Sequence, residues 1–158
     1  MKKITPILIG SFFLLIFISC KTTSSVPLTA EVKYLSNPSS GLISIQSVGY
    51  GKDDKVAKKN AFQTAFNTIL FKGLPGFSAL KNPLINDETK ARRANPKYFK
   101  TLFEENGYLQ FVTNQEVTEL LGKGDTKKSR IVKQTFTINY KLLRRHLEQN
   151  NIIRKFGL

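Results

Sequence analysis

The stretch from residue 42 to residue 72 constrains the fold most strongly, because its apolar pattern changes from that of a strand to that of a helix. Leu42 to Val48 is rich in β-branched residues, which predicts a strand. The residues that follow, G-Y-G-K-D-D, suit a tight strand-to-helix turn with an aspartate at the N-cap or in the first turn. We therefore expect a strand joined directly to a helix.

The predicted helix runs from Lys55 to about Lys72 and has an alanine ridge on its apolar face. Alanine recurs every four residues along this ridge, and large apolar residues lie beside it. Small residues of this kind let a helix lie close against a sheet, and the sequence G-L-P-G from residue 73 ends the helix. The residues of this face are Ala57, Ala61, Phe62, Ala65, Phe66, Ile69 and Leu70.

Downstream of this helix the sequence predicts an irregular segment, a short helix and a hairpin. Residues 77–94 have no regular pattern, whereas Asn95 and Pro96 suit the start of a helix. Two long strand candidates, residues 108–121 and 130–140, flank the turn sequence G-K-G-D.

The C-terminal part predicts another short helix, at residues 141–149, whose apolar residues continue into the tail. Such a line more often packs in the core, and the alternative is a docking helix for a partner protein. The order strand, long helix, short helix, hairpin and helix predicts the α+β class, with a small antiparallel sheet covered by a long helix, in a single domain at residues 41–158. The apolar line consists of Leu142, Leu143, Leu147, Ile152, Ile153 and Phe156.

The N-terminal residues predict a targeting segment and not a membrane span. Two lysines precede a nearly unbroken apolar run from Ile4 to Ile18, which is shorter than the ~20 apolar residues that a spanning helix needs. The run ends close to Cys20, the only cysteine of the chain. We predict a signal peptide at residues 1–19 and, from the Ser, Thr and Pro content, a flexible tether at residues 20–40.

The stretch Phe17-Ile18-Ser19-Cys20 resembles a bacterial lipobox. In that family of signals the cysteine becomes the first mature residue, and its sulfur carries a diacylglycerol. The resemblance implies lipidation of Cys20 and makes the membrane a partner of the mature protein. Two or more acyl chains, at about 0.8 kcal/mol per buried methylene, give stable anchoring. The alternatives are an ordinary secretory peptide and an uncleaved anchor.

The sequence Gly49-Tyr50-Gly51, followed by the alanine ridge, resembles a second family. Small LPP-type outer-membrane lipoproteins, and the related N-terminal domain of the flagellar T-ring protein, share a strand, a G-x-G turn, an alanine-rich helix and a hairpin. The resemblance covers roughly residues 42–140. It implies an envelope-associated domain that supports assembly, and it supplies no catalytic residues. A phosphate cradle at the glycines is disfavoured, because a third glycine is missing and two aspartates follow.

The charge of the chain favours anionic partners. The 25 Lys and Arg residues outnumber the 11 Asp and Glu residues, which gives a formal net charge of +14. A solvated basic surface is the alternative, and nucleic acid is not expected as the ligand of an exported protein. Candidate contacts with an anionic surface or a partner are Arg92, Arg93, Lys127, Lys128, Arg130, Arg144 and Arg145, and Arg154 and Lys155 add to the basic C-terminal end.

Catalysis has few candidate residues in this sequence. His146 is the only histidine, its neighbours are cationic, and no second histidine could share a metal ion with it. Adjacent carboxylates such as Asp53 and Asp54 point in different directions on a helix, so they do not form an acid–base pair. We expect no enzyme activity, no cofactor and no metal site, and we interpret His146 as a surface residue on a basic helix.

These patterns together predict a lipid-anchored protein of the bacterial cell envelope, at the outer membrane and facing the periplasm. The leading hypothesis is a non-enzymatic accessory or scaffold subunit of an envelope assembly, secretion or motility complex, with envelope proteins as partners. The alternative is a binding module for anionic lipid or a cell-envelope polymer. The first predicts partner contacts that survive salt, and the second predicts binding that depends steeply on salt.

Overall fold

The computed structural model describes residues 32–123 and 130–155, and within them four strands form one antiparallel sheet in the order β1-β2-β4-β3. Helices cover one face of this sheet, which confirms the predicted α+β class. The strands are β1 (Val32–Ser36), β2 (Leu42–Gly51), β3 (Val112–Lys123) and β4 (Arg130–Asn139). The helices are α1 (Asp54–Asn67), α2 (Glu88–Ala94), α3 (Pro96–Phe103) and α4 (Tyr140–Gln149).

The predicted strand-to-helix unit is confirmed as the centre of the fold. The side chain of Asp53 accepts a hydrogen bond of 2.8 Å from the backbone N–H of Val56, so this aspartate is the N-cap of α1. The helix continues as one π-helical turn, Thr68–Lys72, and ends at Gly73, whose φ of 85° suits glycine. The helical span therefore agrees with the prediction, although its last turn is wider than an α-helical turn.

The two glycines of β2 allow α1 to rest directly on the strand. A Cβ atom at Gly49 would lie 2.8 Å from the Cα of Ala61, and one at Gly51 would lie 2.9 Å from the Cα of Ala57. Both glycines have φ outside the left-handed region, so the turn itself does not require them. The glycines instead allow the backbone of β2 to approach the backbone of α1 closely, at the alanine ridge of the helix.

The core between sheet and helices is rich in aromatic rings. The Phe62 and Phe66 rings of α1 lie 5.8 and 5.4 Å from the Tyr108 ring, centroid to centroid. Phe62 also packs against Phe136 of β4 at 4.4 Å. Aromatic pairs at such distances add to the stability that their burial provides.

The apolar line of the C-terminal segment mostly packs in the core. Leu143 and Leu147 are fully buried, and the two isoleucines of the tail pack against the same cluster while partly buried. Leu142 is 40% exposed and faces outward. Phe156 lies outside the described residues.

The tether predicted at residues 20–40 is wrong for its last part. Residues 32–36 form the edge strand β1, which pairs antiparallel with β2. The Tyr34 side chain ties this strand to the core, because its ring stacks on Phe77 at a centroid distance of 5.3 Å. Residues 20–31 lie outside the described part of the chain.

The segment predicted as irregular contains a helix. α2 occupies Glu88–Ala94, and the Asp87 side chain caps it by accepting a hydrogen bond of 2.8 Å from the Lys90 N–H. Asn95 makes no capping bond to α3; its amide donates to the Ala91 carbonyl at the end of α2 instead. The next strand also begins later than predicted, at Val112, because a 3₁₀-helix (Gly107–Phe111) precedes it.

The sheet has two ends that carry different parts of the chain. At the hairpin end, β3 ends at Lys123, β4 begins at Arg130 and β2 leads into α1. At the helix end, β4 ends at Asn139 and leads into α4. The 10 residues of β4 separate the two ends by about 30 Å. β1 starts opposite Ser47, near the middle of β2, and runs toward the helix end. The segment between β3 and β4, which contains Gly124 and Asp125 of the predicted G-K-G-D turn, lies outside the described residues.

Gly49→Ala tests the close approach of α1 and β2. The added methyl group meets backbone atoms of α1, which no side-chain rotation can move, so we expect the free energy of unfolding to fall by about 3 kcal/mol. Urea denaturation followed by circular dichroism measures this change. Gln46→Ala, on the opposite face of the same strand, is the control and should change the free energy by less than about 0.5 kcal/mol. Equal stability of the two variants would contradict the contact.

Candidate functional site

The cations that the sequence singles out lie on different elements wherever the structure describes them. Lys127 and Lys128 lie outside the described residues. Arg130 lies at the hairpin end, where its Nε is 3.3 Å from the Oδ1 of Asp54. The two arginines of α4 belong to the helix that follows the opposite end of β4. A flat anionic surface could not contact both groups through one small patch.

The guanidinium group of Arg92 is engaged in contacts within the domain. Its Nε donates to Glu88 and its Nη2 donates to the side-chain oxygen of Asn67, both at 2.8 Å. Its cationic carbon also lies over three aromatic rings, an arrangement that adds cation–π attraction. These contacts join α2 and α3 to the end of α1. The rings belong to Phe71, Phe99 and Phe103, at 4.8, 5.3 and 4.9 Å.

The C-terminal segment and a loop that follows α1 enclose an open cavity of about 330 Å³. Residues 79 and 82–84 line one side, and Arg144 with residues 153–155 lines the other. Three of these residues are cations, namely Arg144, Arg154 and Lys155, and none is a carboxylate. We call this cavity the basic pocket.

A helix-ending motif positions the C-terminal wall of the basic pocket. Asn151 adopts a left-handed φ of 55°, which asparagine tolerates better than most residues. The Ile152 N–H donates to the Leu147 carbonyl at 2.9 Å, and the Asn151 N–H donates to the Glu148 carbonyl at 3.1 Å. This pair of bonds is a Schellman motif, and it reverses the chain after α4. The reversal brings residues 153–155 back toward the domain.

The loop wall of the basic pocket is held by the end of α1. The Leu84 and Ile85 N–H groups donate to the carbonyls of Ile69 and Leu70, at 3.4 and 2.8 Å. These carbonyls belong to the last helical turn, whose acceptors have no partner further along the helix. The sequence shows no local signal for this wall, because the two sides of the cavity are distant in the chain.

The three cations of the basic pocket differ in their contacts. The Nε of Arg144 donates to Glu148 at 3.1 Å, one turn further along α4. Arg154 and Lys155 are exposed, and within residues 32–123 and 130–155 neither of them forms an ion pair. Arg145 is also exposed but does not line the cavity.

A second open groove, of about 390 Å³, lies beside α3 and α4 and contains His146. The Tyr98 hydroxyl lies 3.0 Å from His146 Nδ1, and the imidazole packs edge-on against Phe111 at 5.3 Å. Burial raises the pKa of Tyr98 to about 12, so the phenol keeps its proton and can donate a hydrogen bond to Nδ1 in the tautomer that leaves this nitrogen without a hydrogen. His146 is therefore half-buried and held between two rings, in contrast to the predicted surface position.

Comparison with known protein families, with curated proteins and with solved structures finds no match to this chain. None of the helices in the described part of the chain is both long and apolar enough to cross a membrane. The same residues contain no group of three or more His, Cys, Asp or Glu side chains placed to hold a metal ion. The lipobox and the family resemblance stay predictions.

Arg92→Ala and Arg93→Ala separate a structural arginine from an exposed one. Loss of the Arg92 guanidinium removes its ring contacts and two hydrogen bonds, so we expect a fall of about 1–2 kcal/mol in the free energy of unfolding. The neighbouring Arg93 is exposed, and its replacement should change stability by less than about 0.5 kcal/mol. Chemical denaturation measures both values. An equal effect of the two variants would contradict the described role of Arg92.

Proposed function

We propose that this chain is a lipid-anchored, non-enzymatic accessory or scaffold subunit of an assembly, secretion or motility complex in the bacterial cell envelope. Two lysines, an apolar run, a small residue and Cys20 stand in the order of a lipidation signal. The acidic residues often found after the cysteine of surface-exposed lipoproteins are absent, which favours the periplasmic face of the outer membrane. The partners would be the membrane, through Cys20, and other envelope proteins.

The observation that carries the proposal is the length of chain between Cys20 and the first strand. Cys20 lies 12 positions before Val32, a distance of at most about 40 Å in extended chain. The two ends of the sheet are about 30 Å apart. An anchor at Cys20 would therefore keep the domain close to the bilayer and still allow the helix end to contact another protein.

The outer surface of α4 at the helix end carries an exposed leucine beside an exposed arginine. Leu142 is 40% exposed, and Arg145 is exposed three positions further along the same helix. Residues three apart lie on one face of a helix. Arginine is enriched at protein interfaces, and the leucine adds apolar area beside it. This face supports the accessory-subunit hypothesis.

The anchor is tested by mass spectrometry of the native protein together with membrane fractionation. We expect a diacylated or triacylated Cys20 as the first residue of a protein found in the outer-membrane fraction. Cys20→Ala should abolish the modification and release the protein from that fraction, because a domain without acyl chains has lost its main membrane affinity. An unmodified Cys20, or a variant that stays on the membrane, would contradict the proposal.

A second candidate function is the binding of anionic lipid or a cell-envelope polymer. The observation that favours it is the basic pocket, where three cations line one cavity without a carboxylate among the lining residues. Exposed cations attract anions through interactions that salt screens, so this function predicts a steep loss of binding as ionic strength rises.

A further inference from the structure

We infer that the basic pocket binds the phosphate group of an organic phosphate ester. The inference deepens the second candidate function, on which it rests for the anionic nature of the ligand. It does not depend on lipidation of Cys20, since every residue that it uses belongs to the folded domain.

Two of the three cations that line the pocket carry charge that no carboxylate of the described residues neutralises. Arg154 and Lys155 line it, are exposed, and form no ion pair within residues 32–123 and 130–155. An anion can therefore contact both side chains without displacing a salt bridge to any residue of 32–123 or 130–155. Arg144 adds a third charge, and its bond to Glu148 fixes the position of its guanidinium group.

The donor groups match a phosphate better than a carboxylate. A carboxylate has one negative charge and two oxygens, whereas a phosphate monoester has nearly two charges at neutral pH and three terminal oxygens. Arg154 can donate from two nitrogens in one plane, Lys155 is a compact ammonium, and Asn82 adds an amide donor from the opposite wall. These donors line the cavity from two walls, and all three types donate to phosphate oxygens.

The size and lining of the pocket indicate a ligand larger than the phosphate group. A volume of about 330 Å³ is many times the ~30 Å³ share of one water molecule, so the phosphate fills only part of it. Pro83, Leu84 and Ile153 line the pocket with partly buried apolar surface. The organic part of an ester would pack against these three side chains.

Hydrogen bonds hold the backbone that leads into each wall before any ligand binds. The Schellman motif holds the chain reversal after α4 as far as Ile152, and the hydrogen bonds from residues 84 and 85 join the loop to α1. A preformed site loses less conformational entropy when its ligand binds.

Isothermal titration calorimetry on the full chain in a neutral detergent tests the inference. The probes are glycerol 3-phosphate and the water-soluble lipid dihexanoyl phosphatidylglycerol, each at constant ionic strength so that general screening does not change. We expect saturable binding that Arg154→Gln weakens about tenfold, the loss of one hydrogen-bonded charge contact. Arg145→Gln removes the same charge from a neighbouring surface position outside the pocket and should change the affinity less than about twofold.

The outcomes separate the sources of phosphate and the competing explanations. Binding of glycerol 3-phosphate supports a soluble ester as ligand, and binding of the lipid alone supports a headgroup phosphate at the same site, provided that Arg154→Gln weakens either one selectively. Equal losses in the Arg154→Gln and Arg145→Gln variants would overturn the inference in favour of diffuse charge. Binding of a glutamate-rich peptide without binding of either phosphate probe would overturn it in favour of a carboxylate site.

Two controls keep these outcomes interpretable. Circular dichroism spectra of both variants should match that of the native chain, since both arginines are exposed. Lys155→Gln provides a second removal of a pocket cation, and a pocket that binds phosphate predicts a loss similar to that of Arg154→Gln. The acylation of Cys20 is measured separately, so failure of the anchor and failure of the phosphate site give different results.

Discussion

The contact between the backbones of β2 and α1 determines the thickness of the domain at its centre. Gly49 and Gly51 have no side chain, and Ala57 and Ala61 on the facing helix are fully buried. At this short separation the larger residues that fill the core must lie beside the ridge and not on it. The aromatic residues of α1 occupy those flanking positions and meet the rings of the 3₁₀-helix and of β4.

The course of α1 also decides where the candidate site is built. Because α1 returns along β2 from the hairpin end, its last turn lies toward the helix end. There the carbonyls of Ile69 and Leu70 accept the hydrogen bonds that hold the loop of the basic pocket. In the same region Asn67 and Phe71 contact the guanidinium group of Arg92 from α2. The other wall of the pocket is formed by the residues that follow α4, after the chain reverses at Asn151. The pocket therefore depends on the placement of both α1 and α4, which are far apart in the sequence.

Long segments with a strict apolar period were predictable from the sequence, and features that depend on distant partners were not. The strand and helix at residues 42–72, and α4, have apolar periods that predict the same structure that their packing stabilises. β1 is short, and it is placed by its pairing with β2 and by the contact between Tyr34 and Phe77. Neither contact can be predicted from the local sequence. α2 has 7 residues and a start signal in Asp87 followed by Glu88, but too few residues for an apolar period.

The candidate site shows the same division. Arg92 and Arg93 are indistinguishable in the sequence, yet one is engaged with three rings and the other is exposed. The cations of the C-terminal end are visible as a charged cluster, but their meeting with residues 82–84 requires the tertiary fold. His146 has a partner in Tyr98, which lies in another helix. Charge can thus be counted from the sequence, whereas the pairing of each charge cannot.

The exposed face of α4, at the helix end of the anchored domain, is our proposed contact surface for another envelope protein. Site-specific photo-crosslinking in intact cells tests this contact, with a photoreactive amino acid at exposed Arg145 of the helix end or at exposed Lys52 of the hairpin end. We expect a discrete crosslink from position 145 to an envelope protein and none to that protein from position 52. A protein crosslink from position 52 alone, or none from either position, would contradict the proposed contact.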